Sequence, residues 1–578
     1  MKQIKKWMCT VLALSTVFAT AACGNPQTNN SGTTEIRIMN YGGGIGRVWL
    51  DEACARFQEA NKGVSFEEGK TGVSFKIEHN ISTNVATMKS AAYNIYFDEN
   101  TGSIEALARS NSLLNISDVL EAEVDGKTIE SKIDASALDS CKGGDGEYYA
   151  IPSNTWYPGV TYDRELFEEK GLFFAASGET NVTTYQSTLT GKTYRFVKNA
   201  TAKRSCGIDG KYSATNDDGA SDDGLPSSIE ELIVLCEKMK KVGVTPFTYT
   251  GASSHYVHYL LSSIWTSLSG YDQMRATYDF AGNVEVVTGY EESNLFAGIS
   301  YIKKPKTKVV TVQEAEGYNV TRNVNRYYAM SFMEIATREN WFSTTSTTGS
   351  KTHIDAQQGF VWSDYQGEEA IGMLVEGNYW YNESVVNQVF TDFHEYNPEV
   401  SERKLAWLPM PVLLNGTIAE NEGKQYTMLD TSDSYAFLNK NMEGKDGLIK
   451  ACKEFLKFLC TDAELSHFTG STGIVKAHYN YELQDADYDK MSYFQKTVYD
   501  RVFGGNAKII FCSAENDTFN NNKSFFRITT GGGLMEPKLN NETYETYIHA
   551  FRAGKTAQYA FETTSLDATD WAGIYKGE

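Results

Sequence analysis

The sequence has little positive charge and lacks the common motifs of hydrolytic and nucleotide-dependent catalysis. Its 53 Lys and Arg residues are outnumbered by 74 Asp and Glu residues, which gives a net charge of −21. We find no local basic stripe, so nucleic acid is excluded as an expected partner because its phosphates would be repelled. The G-x-S-x-G nucleophile elbow, the H-E-x-x-H zinc motif and the Walker phosphate loop are all missing. These absences favour a binding function over these kinds of catalysis.

Metal-binding and disulfide patterns are also missing. The eight His residues are scattered, and the near neighbours His255 and His258 have no third ligand close in sequence, so we expect neither a metal site nor a cofactor. The acidic segment 209–223 does not have the spacing of a calcium loop; we interpret it as solvated and leave calcium binding open. No C-x-x-C occurs, and we predict buried core thiols rather than a disulfide framework. The cysteines beyond Cys9 and Cys23 are Cys54, Cys141, Cys206, Cys236, Cys452, Cys460 and Cys512.

Only the N-terminus carries a long apolar run. Three lysines precede an apolar stretch of residues 7–22, which is shorter than the roughly 20 residues of a membrane-spanning helix and therefore predicts a secretory signal over residues 1–22. Thr20-Ala-Ala-Cys23 resembles a bacterial lipobox, which implies a lipid on Cys23 and attachment to the extracellular face of the bacterial cytoplasmic membrane. Residues 23–34 are polar and predict a flexible tether. The alternative is an ordinary secretory signal followed by a coincidental cysteine.

Strand-like and helix-like segments alternate through most of the chain. Residues 35–39, 75–79, 94–97, 370–375 and 434–438 read as strands, while amphipathic helices are predicted near 47–60, 229–242 and 448–459. This alternation predicts an α/β fold with a mostly parallel sheet in each of two lobes. Residues 175–224 interrupt the alternation, and we predict an inserted loop or hairpin there.

Aromatic residues make up 13% of the chain and occur beside amides and carboxylates at predicted strand ends. A pyranose ring presents apolar faces and a rim of hydroxyls, so its site requires flat aromatic surfaces together with Asp, Glu or Asn side chains. Any one such cluster is more often part of a core. The clusters that suggest a sugar site contain Asn154, Trp156, Tyr256, Asp364, Glu376, Asn378, Tyr379 and Trp380.

Several short segments, in order, resemble the extracellular solute-binding protein family 1, the carbohydrate receptors of ABC importers that include maltodextrin-binding proteins. The segments are Tyr149-Ala-Ile-Pro152, Leu225-Pro-Ser-Ser-Ile-Glu-Glu-Leu232, Gly377-Asn-Tyr-Trp380, Leu408-Pro-Met-Pro411 and Ala451-Cys-Lys-Glu-Phe-Leu-Lys-Phe-Leu459. The resemblance implies a periplasmic-binding-protein type II fold, with two lobes of mixed, mostly parallel sheets and a hinge of several chain crossings. It implies an N-terminal lobe of residues 35–152 plus 425–477, and a C-terminal lobe of residues 153–424 plus 478–578.

The same resemblance implies a ligand site between the lobes. Trp380 is the expected stacking platform, flanked by Tyr379, Asn378 and Glu376. Further expected contacts follow the chain crossings, the first strand and the aromatic clusters: Trp156, Asn154, Ser434, Tyr41, Gly43, Asp364 and Tyr256.

The resemblance therefore implies a monomeric, non-enzymatic lipoprotein that binds a sugar or oligosaccharide and delivers it to an ABC permease. One alternative is a lipid-anchored glycoside hydrolase, although the repeated strand–helix spacing of a barrel is not visible in the sequence. Another alternative is a receptor for a non-sugar solute, or a sensor subunit that signals instead of feeding a transporter.

Overall fold

A computed structural model describes most of the chain beyond the predicted tether. The described residues are 32–79, 88–99, 104–212, 222–419, 425–432, 434–503, 507–512, 516–526, 528 and 533–576. The predicted signal, Cys23 and residues 213–221 of the acidic segment lie outside them. Within these ranges, none of the helices combines the length and apolar character of a membrane span. The same ranges contain no group of three or more His, Cys, Asp or Glu side chains placed to hold a metal ion.

The strands fall into two main sheets and several hairpins. They are β1 Thr34–Asn40, β2 Val73–His79, β3 Ile95–Glu99, β4 Glu123–Val124, β5 Lys127–Thr128, β6 Ala150–Pro152, β7 Pro158–Asp163, β8 Val182–Gln186, β9 Thr193–Val197, β10 Thr245–Thr248, β11 Gly282–Asn294, β12 Lys303–Val312, β13 Ile371–Gly377, β14 Leu405–Trp407, β15 Tyr426–Asp430, β16 Ser434–Leu438, β17 Ala507–Phe511, β18 Lys538–Leu539 and β19 Glu542–Thr543.

The helices cover the faces of the main sheets and form most of the C-terminal region. They are α1 Val48–Ala60, α2 Ile104–Arg109, α3 Ser117–Leu120, α4 Ile129–Lys132, α5 Ala135–Leu138, α6 Arg164–Glu169, α7 Ile229–Lys241, α8 His258–Asp279, α9 Val324–Arg338, α10 His353–Val361, α11 Trp380–Val386, α12 Val389–Tyr396, α13 Asp446–Leu459, α14 Asp462–Thr472, α15 Asp485–Tyr488, α16 Tyr493–Phe503, α17 Asp517–Asn521, α18 Lys523–Phe526, α19 Tyr547–Arg552, α20 Ala557–Thr564 and α21 Ala568–Lys576.

The first lobe is built on a five-stranded sheet in the order β2-β1-β3-β16-β6. Strands β1, β2 and β3 run parallel, whereas β16 runs antiparallel to both of its neighbours. Helices α1, α13 and α14 bury Trp49, Phe57, Phe455 and Phe468 in one core with Ile36 and Ile38 of β1. The predicted strands over 35–39, 75–79 and 94–97 are therefore confirmed as the three parallel strands of this sheet.

The second lobe is built on a four-stranded sheet in the order β10-β13-β7-β14. Here β10 and β13 are parallel and β7 is antiparallel to both strands beside it. Helix α7 is capped by Ser228, whose Oγ accepts a hydrogen bond from the Glu231 backbone N–H at 3.2 Å. The helix is followed by Gly243, whose φ of +82° suits glycine after a helix end.

Within the predicted insertion, strands β8 and β9 form an antiparallel hairpin. Its Phe196 is fully buried in the core of the second lobe. A second hairpin, β11–β12, and the helices α8 and α9 were not predicted from the sequence. They enlarge the second lobe and share its core.

The chain passes between the lobes at three places: between β6 and β7, between β15 and β16, and between α15 and α16. The later two passages differ from the predicted boundaries at 425 and 477. Strand β15 pairs with β17, and its Met428 belongs to the second-lobe core, so the chain enters the first lobe only at β16. Tyr481 still lies in the first-lobe core, whereas Phe494 lies in the second. The reason is tertiary, because the partner of β15 lies about 80 residues further along the chain.

Candidate functional site

The turn after β1 reaches across to the second lobe. The backbone of Gly44 has a φ of +72°, a conformation that glycine adopts at low cost. A Cβ at this position would lie 3.2 Å from the Trp156 ring and 3.3 Å from Tyr379. The side chain of Asn382, on α11, donates hydrogen bonds to the carbonyls of Gly44 at 3.2 Å and Ile45 at 2.6 Å. The two lobes are therefore in contact at this turn.

Tyr379 lies at the centre of this contact. Its ring meets that of Trp156 edge to face, with 4.8 Å between ring centroids, and its hydroxyl is 3.1 Å from the hydroxyl of Tyr259. Tyr256 packs against Tyr259 with ring centroids 5.2 Å apart. Tyr256 and Tyr259 remain half-buried, so part of this aromatic surface is open to solvent. The expected contact Tyr41 is also half-buried and lies beside Gly43, where a Cβ would come within 2.8 Å of the Tyr41 ring.

A pair of carboxyl groups lies under the tyrosines. Glu376 ends strand β13 and is 1% exposed. Burial, and then the neighbouring Glu383 of α11, raise the pKa of Glu376 well above its ordinary value. Burial likewise raises the pKa of Glu383, which accepts a hydrogen bond from Gln357 at 2.9 Å. Because a buried carboxylate is costly without partners, this pair is a chemically unusual part of the site.

The first passage between the lobes, at Trp156 and Tyr157, is hydrogen-bonded to Asn378 on one side and to Asp430 and Thr431 on the other. Asn378 Oδ1 accepts from the backbone N–H of Tyr157 at 3.0 Å, and its own N–H donates to the Tyr157 carbonyl at 3.0 Å. Asp430 Oδ1 accepts from the Trp156 N–H at 2.9 Å. The Trp156 carbonyl in turn accepts from the N–H of Thr431 at 2.8 Å. These hydrogen bonds hold the backbone of Trp156 and Tyr157 in place where the chain passes from the first lobe to the second.

Asn154 and Ser434 lie together at a small pocket beside the crossings. This pocket is also lined by Asp430 and His478. Ser434 accepts a backbone hydrogen bond from Ser153 at 2.9 Å, which joins the first and second crossings. Asn154 and Ser434, both predicted as ligand contacts, therefore lie at the hinge. They are not part of the aromatic cluster around Tyr379.

Trp380, the expected stacking platform, is a core residue, which corrects the sequence prediction. It has no exposed surface, and its indole N–H donates to Thr161 Oγ1 at 2.9 Å. Phe360 and Phe494 pack edge-on against its ring. As the first residue of α11 it points into the second lobe, whereas the preceding Tyr379 points toward the first.

Asp364 was expected to contact the ligand, and this prediction is also wrong. It is exposed and forms an ion pair with Lys170 at 2.8 Å. Asp364 precedes the start of β13, and Glu376 lies near the other end of that strand, which spans about 17 Å from Ile371 to Glu376 at the usual rise per residue. Its neighbour Trp362 packs on Phe393 in the second lobe, so this cluster belongs to the far end of the sheet.

The sequence reasoning missed Tyr259, Gln357, Asn382 and Glu383, which complete the cluster. The sequence did contain a signal that favours Tyr379 over the adjacent Trp380 as the ligand-facing aromatic residue. The family pattern has one residue between its glycine and its aromatic, and that spacing leads from Gly377 to Tyr379 rather than to Trp380. No comparable signal marks Tyr259 or Gln357, because only the packing of α8 and α10 on β13 brings them close.

Comparison with known proteins shows the fold. Neither a known family profile nor a curated protein matches the sequence. A structure solved in a study of xylan utilisation by Caldanaerobius polysaccharolyticus matches over 92% of this chain and 99% of its own, with a TM-score of 0.51 at 12% identity. The cyclic α-maltosyl-1,6-maltose binding protein of Arthrobacter globiformis matches over 95% of this chain and 100% of its own, with a TM-score of 0.50 at 9% identity.

These likenesses, together with the two sheets and three crossings, confirm the predicted fold class. The chain has the two-lobed α/β fold of periplasmic-binding-protein type II.

Proposed function

We propose that this protein is the substrate-binding lipoprotein of an ABC importer, that it binds a sugar or oligosaccharide between its lobes, and that it presents the ligand to a permease. The observation that carries the proposal is the cluster of Trp156, Tyr379, Tyr256 and Tyr259 at the contact between two lobes of this fold. Flat rings beside carboxyl and amide groups suit the apolar faces and hydroxyl rim of a pyranose.

The likeness to a maltosyl-maltose binding protein supports the sugar class, and the resemblance of short sequence segments supports the importer. The lipobox-like Thr20-Ala-Ala-Cys23 supports a lipid on Cys23 and a position at the extracellular face of the cytoplasmic membrane. Under this proposal the protein acts as a monomer and does not transform its ligand.

The test is calorimetry and thermal unfolding of the purified protein with a panel of mono- and oligosaccharides. A ligand present at 100 times its Kd is expected to stabilise the folded state by about 2.7 kcal/mol. Saturable binding with the sugar recovered intact supports the proposal. Silence across the panel, with a response to peptides or other solutes, would overturn the sugar assignment and leave the fold unaffected.

One observation favours a second candidate function, glycoside hydrolysis. Two carboxyl groups are the usual catalytic equipment of glycosidases, and Glu383 supplies a neighbour for Glu376. Against this, the described sheets are open and are not closed into a barrel. Chromatography of the sugar after incubation decides between the two candidates, since cleaved products would favour the hydrolase.

A further inference from the structure

Among the described residues, His353 is the basic side chain that acts on the carboxyl pair of Glu376 and Glu383, and it acts on Glu383. The described groups that act most strongly on the two carboxyls are each other, Gln357, Tyr379, His353 and the backbone of Gly377, and they include no Lys or Arg. Two buried acids without a cation repel one another when both are ionised. The protein therefore either keeps protons on this pair or receives positive charge from outside.

Both carboxyl groups, of Glu376 and Glu383, accept hydrogen bonds from their neighbours. The Gly377 N–H donates to Glu376 Oε1 at 3.2 Å, and Gln357 Nε2 donates to Glu383 Oε2 at 2.9 Å. The amide of Gln357 is held in this orientation because its Oε1 accepts from Ser384 Oγ at 2.8 Å. Both known partners of the carboxyls are thus donors, which is the arrangement that suits carboxylates.

The second oxygen of Glu376 lacks a well-formed hydrogen bond. Glu376 Oε2 is buried and forms no hydrogen bond of ordinary geometry, and the side chains of Tyr379 and Gln357 are the donors that act on this carboxyl. A buried acceptor without a donor is destabilising, and such atoms are rare in native proteins unless a ligand, ion or water supplies the donor. This oxygen is an observation independent of the charge on the pair, and it indicates a missing donor.

Aromatic rings surround the same pocket. Tyr379 and Tyr256 interact with Glu376, and Tyr259 joins them through its hydroxyl and ring contacts. The faces of aromatic rings attract cations, and a group of rings next to carboxylates is a recognised environment for ligand ammonium groups. Glu383, Tyr256 and Tyr259 are only half-buried, so solvent reaches part of this group of side chains.

We infer that the pocket of Glu376, Glu383, Tyr256, Tyr259 and Tyr379 binds a protonated amine, so that the ligand is a saccharide with a free amino group. This inference rests on the proposed function and narrows its ligand class. An ammonium group offers three donors and one positive charge. It supplies Glu376 Oε2 with its donor and relieves the repulsion between the acids, whereas a neutral hydroxyl brings a donor without the charge.

The inference has a measurable consequence for protons. Without ligand, burial raises the pKa of each acid, which favours the protonated form of the pair. A bound cation stabilises the carboxylates and lowers both pKa values, so binding of the amine releases protons into the buffer. A neutral sugar brings no positive charge to the carboxyl pair, so its binding is not expected to release protons.

The test is calorimetry of the full-length protein with fully deacetylated glucosamine oligosaccharides and with their N-acetylated counterparts of equal length. Each titration is run in buffers of different ionisation enthalpy, which reports the protons released. The wild type is expected to bind the amine form at least tenfold more tightly and to release protons only with that form. Glu376→Gln preserves the size of the side chain and one acceptor oxygen but removes the negative charge, and we expect it to lose at least tenfold in affinity for the amine form alone.

Two further variants make the result specific. Glu383→Gln is expected to weaken binding of the amine in the same way, while Glu395→Gln, an exposed residue of α12, is expected to behave as the wild type. Thermal unfolding of each variant verifies that it is folded. The inference is overturned if the acetylated form binds as tightly as the amine form, or if Glu376→Gln keeps its affinity for the amine; the proposed function then survives. Failure of every saccharide to bind overturns both.

Discussion

Two adjacent aromatic residues have opposite roles in this protein. Tyr379 faces the other lobe and meets Trp156, while Trp380 is fully buried between Phe360 and Phe494. The difference arises because α11 begins at Trp380, so consecutive side chains leave the backbone in different directions.

Truncating each ring is expected to affect a different property. Trp380→Ala should lower the free energy of unfolding by about 3–5 kcal/mol, because it leaves a cavity in the second-lobe core. Tyr379→Ala should instead reduce ligand affinity roughly tenfold by removing an aromatic surface of the site. Chemical denaturation and calorimetry of both variants measure the two effects. Full ligand affinity in Tyr379→Ala would show that the cluster is not the binding site.

His478 links the stability of the hinge to pH. It lies 2% exposed beside the crossings, and burial together with the nearby Lys476 lowers its pKa to about 3. In the unfolded chain its pKa is near 6.5, so below that pH the unfolded state binds a proton that the folded state does not. Stability is therefore complete above pH 6.5 and declines as the pH falls toward 3.

Replacing His478 by Gln is expected to flatten this pH dependence. At pH 4.5 the wild type should have lost about 3 kcal/mol through this residue, a loss that the variant cannot show. Denaturation curves at pH 7.5, 6.0 and 4.5 compare the two proteins. Parallel profiles of wild type and variant would mean that the folded state accepts the proton on His478.

At the scale of elements, α11 and the turn after β1 form the contact that joins the lobes. The helix supplies Asn382, whose amide donates to two carbonyls of the opposite turn. The turn can approach this closely because Gly44 carries no Cβ between Trp156 and Tyr379. Closure of the two lobes in this fold is a hinge motion, so contacts of this kind set the balance between open and closed forms.

Asn382→Asp should shift that balance toward the open form. The substitution keeps the size of the side chain but sets a negatively charged acceptor against two carbonyl oxygens. We expect several-fold weaker ligand binding and a larger radius of gyration by small-angle X-ray scattering. The matched control is Asn387→Asp at the exposed end of the same helix, whose amide bonds only within its own helix to Glu383; an equal effect of both variants would argue against the inter-lobe contact.

At the scale of the whole molecule, the C-terminal region is an integral part of the second lobe. Trp571 of α21 is 1% exposed, packs on Phe280 and Phe526, and donates through its indole N–H to the Glu314 carbonyl at 2.8 Å. Gly317 admits this ring, since a Cβ there would lie 2.1 Å from it. These contacts join the C-terminal helix α21 to the core of the second lobe.

Trp571→Ala is expected to destabilise the entire second lobe by about 3–5 kcal/mol, because the ring fills a site shared by distant parts of the chain. Tyr575→Ala, on the same helix but 43% exposed, should change the free energy of unfolding by less than about 0.5 kcal/mol. Denaturation monitored by tryptophan fluorescence and by circular dichroism measures both. A small effect of Trp571→Ala would indicate that α21 detaches before the lobe unfolds.

Local patterns in the sequence determined the elements. Alternating apolar residues marked β1, and apolar residues at helical spacing marked α7. These signals suffice because backbone hydrogen bonding and the burial of one face depend on residues close in sequence. The α/β fold class and the buried thiols, such as Cys54 and Cys236, followed from the same kind of information.

Only the tertiary structure decided which of these residues share a site. Trp380 and Asp364 satisfied the local chemistry of a sugar contact, yet one lies in a core and the other at the far end of β13. Glu376 acquired its neighbours Glu383 and Gln357 from two different helices. The physical reason is that burial, pKa and orientation depend on packing between segments far apart in the chain, and a single sequence carries no direct record of that packing.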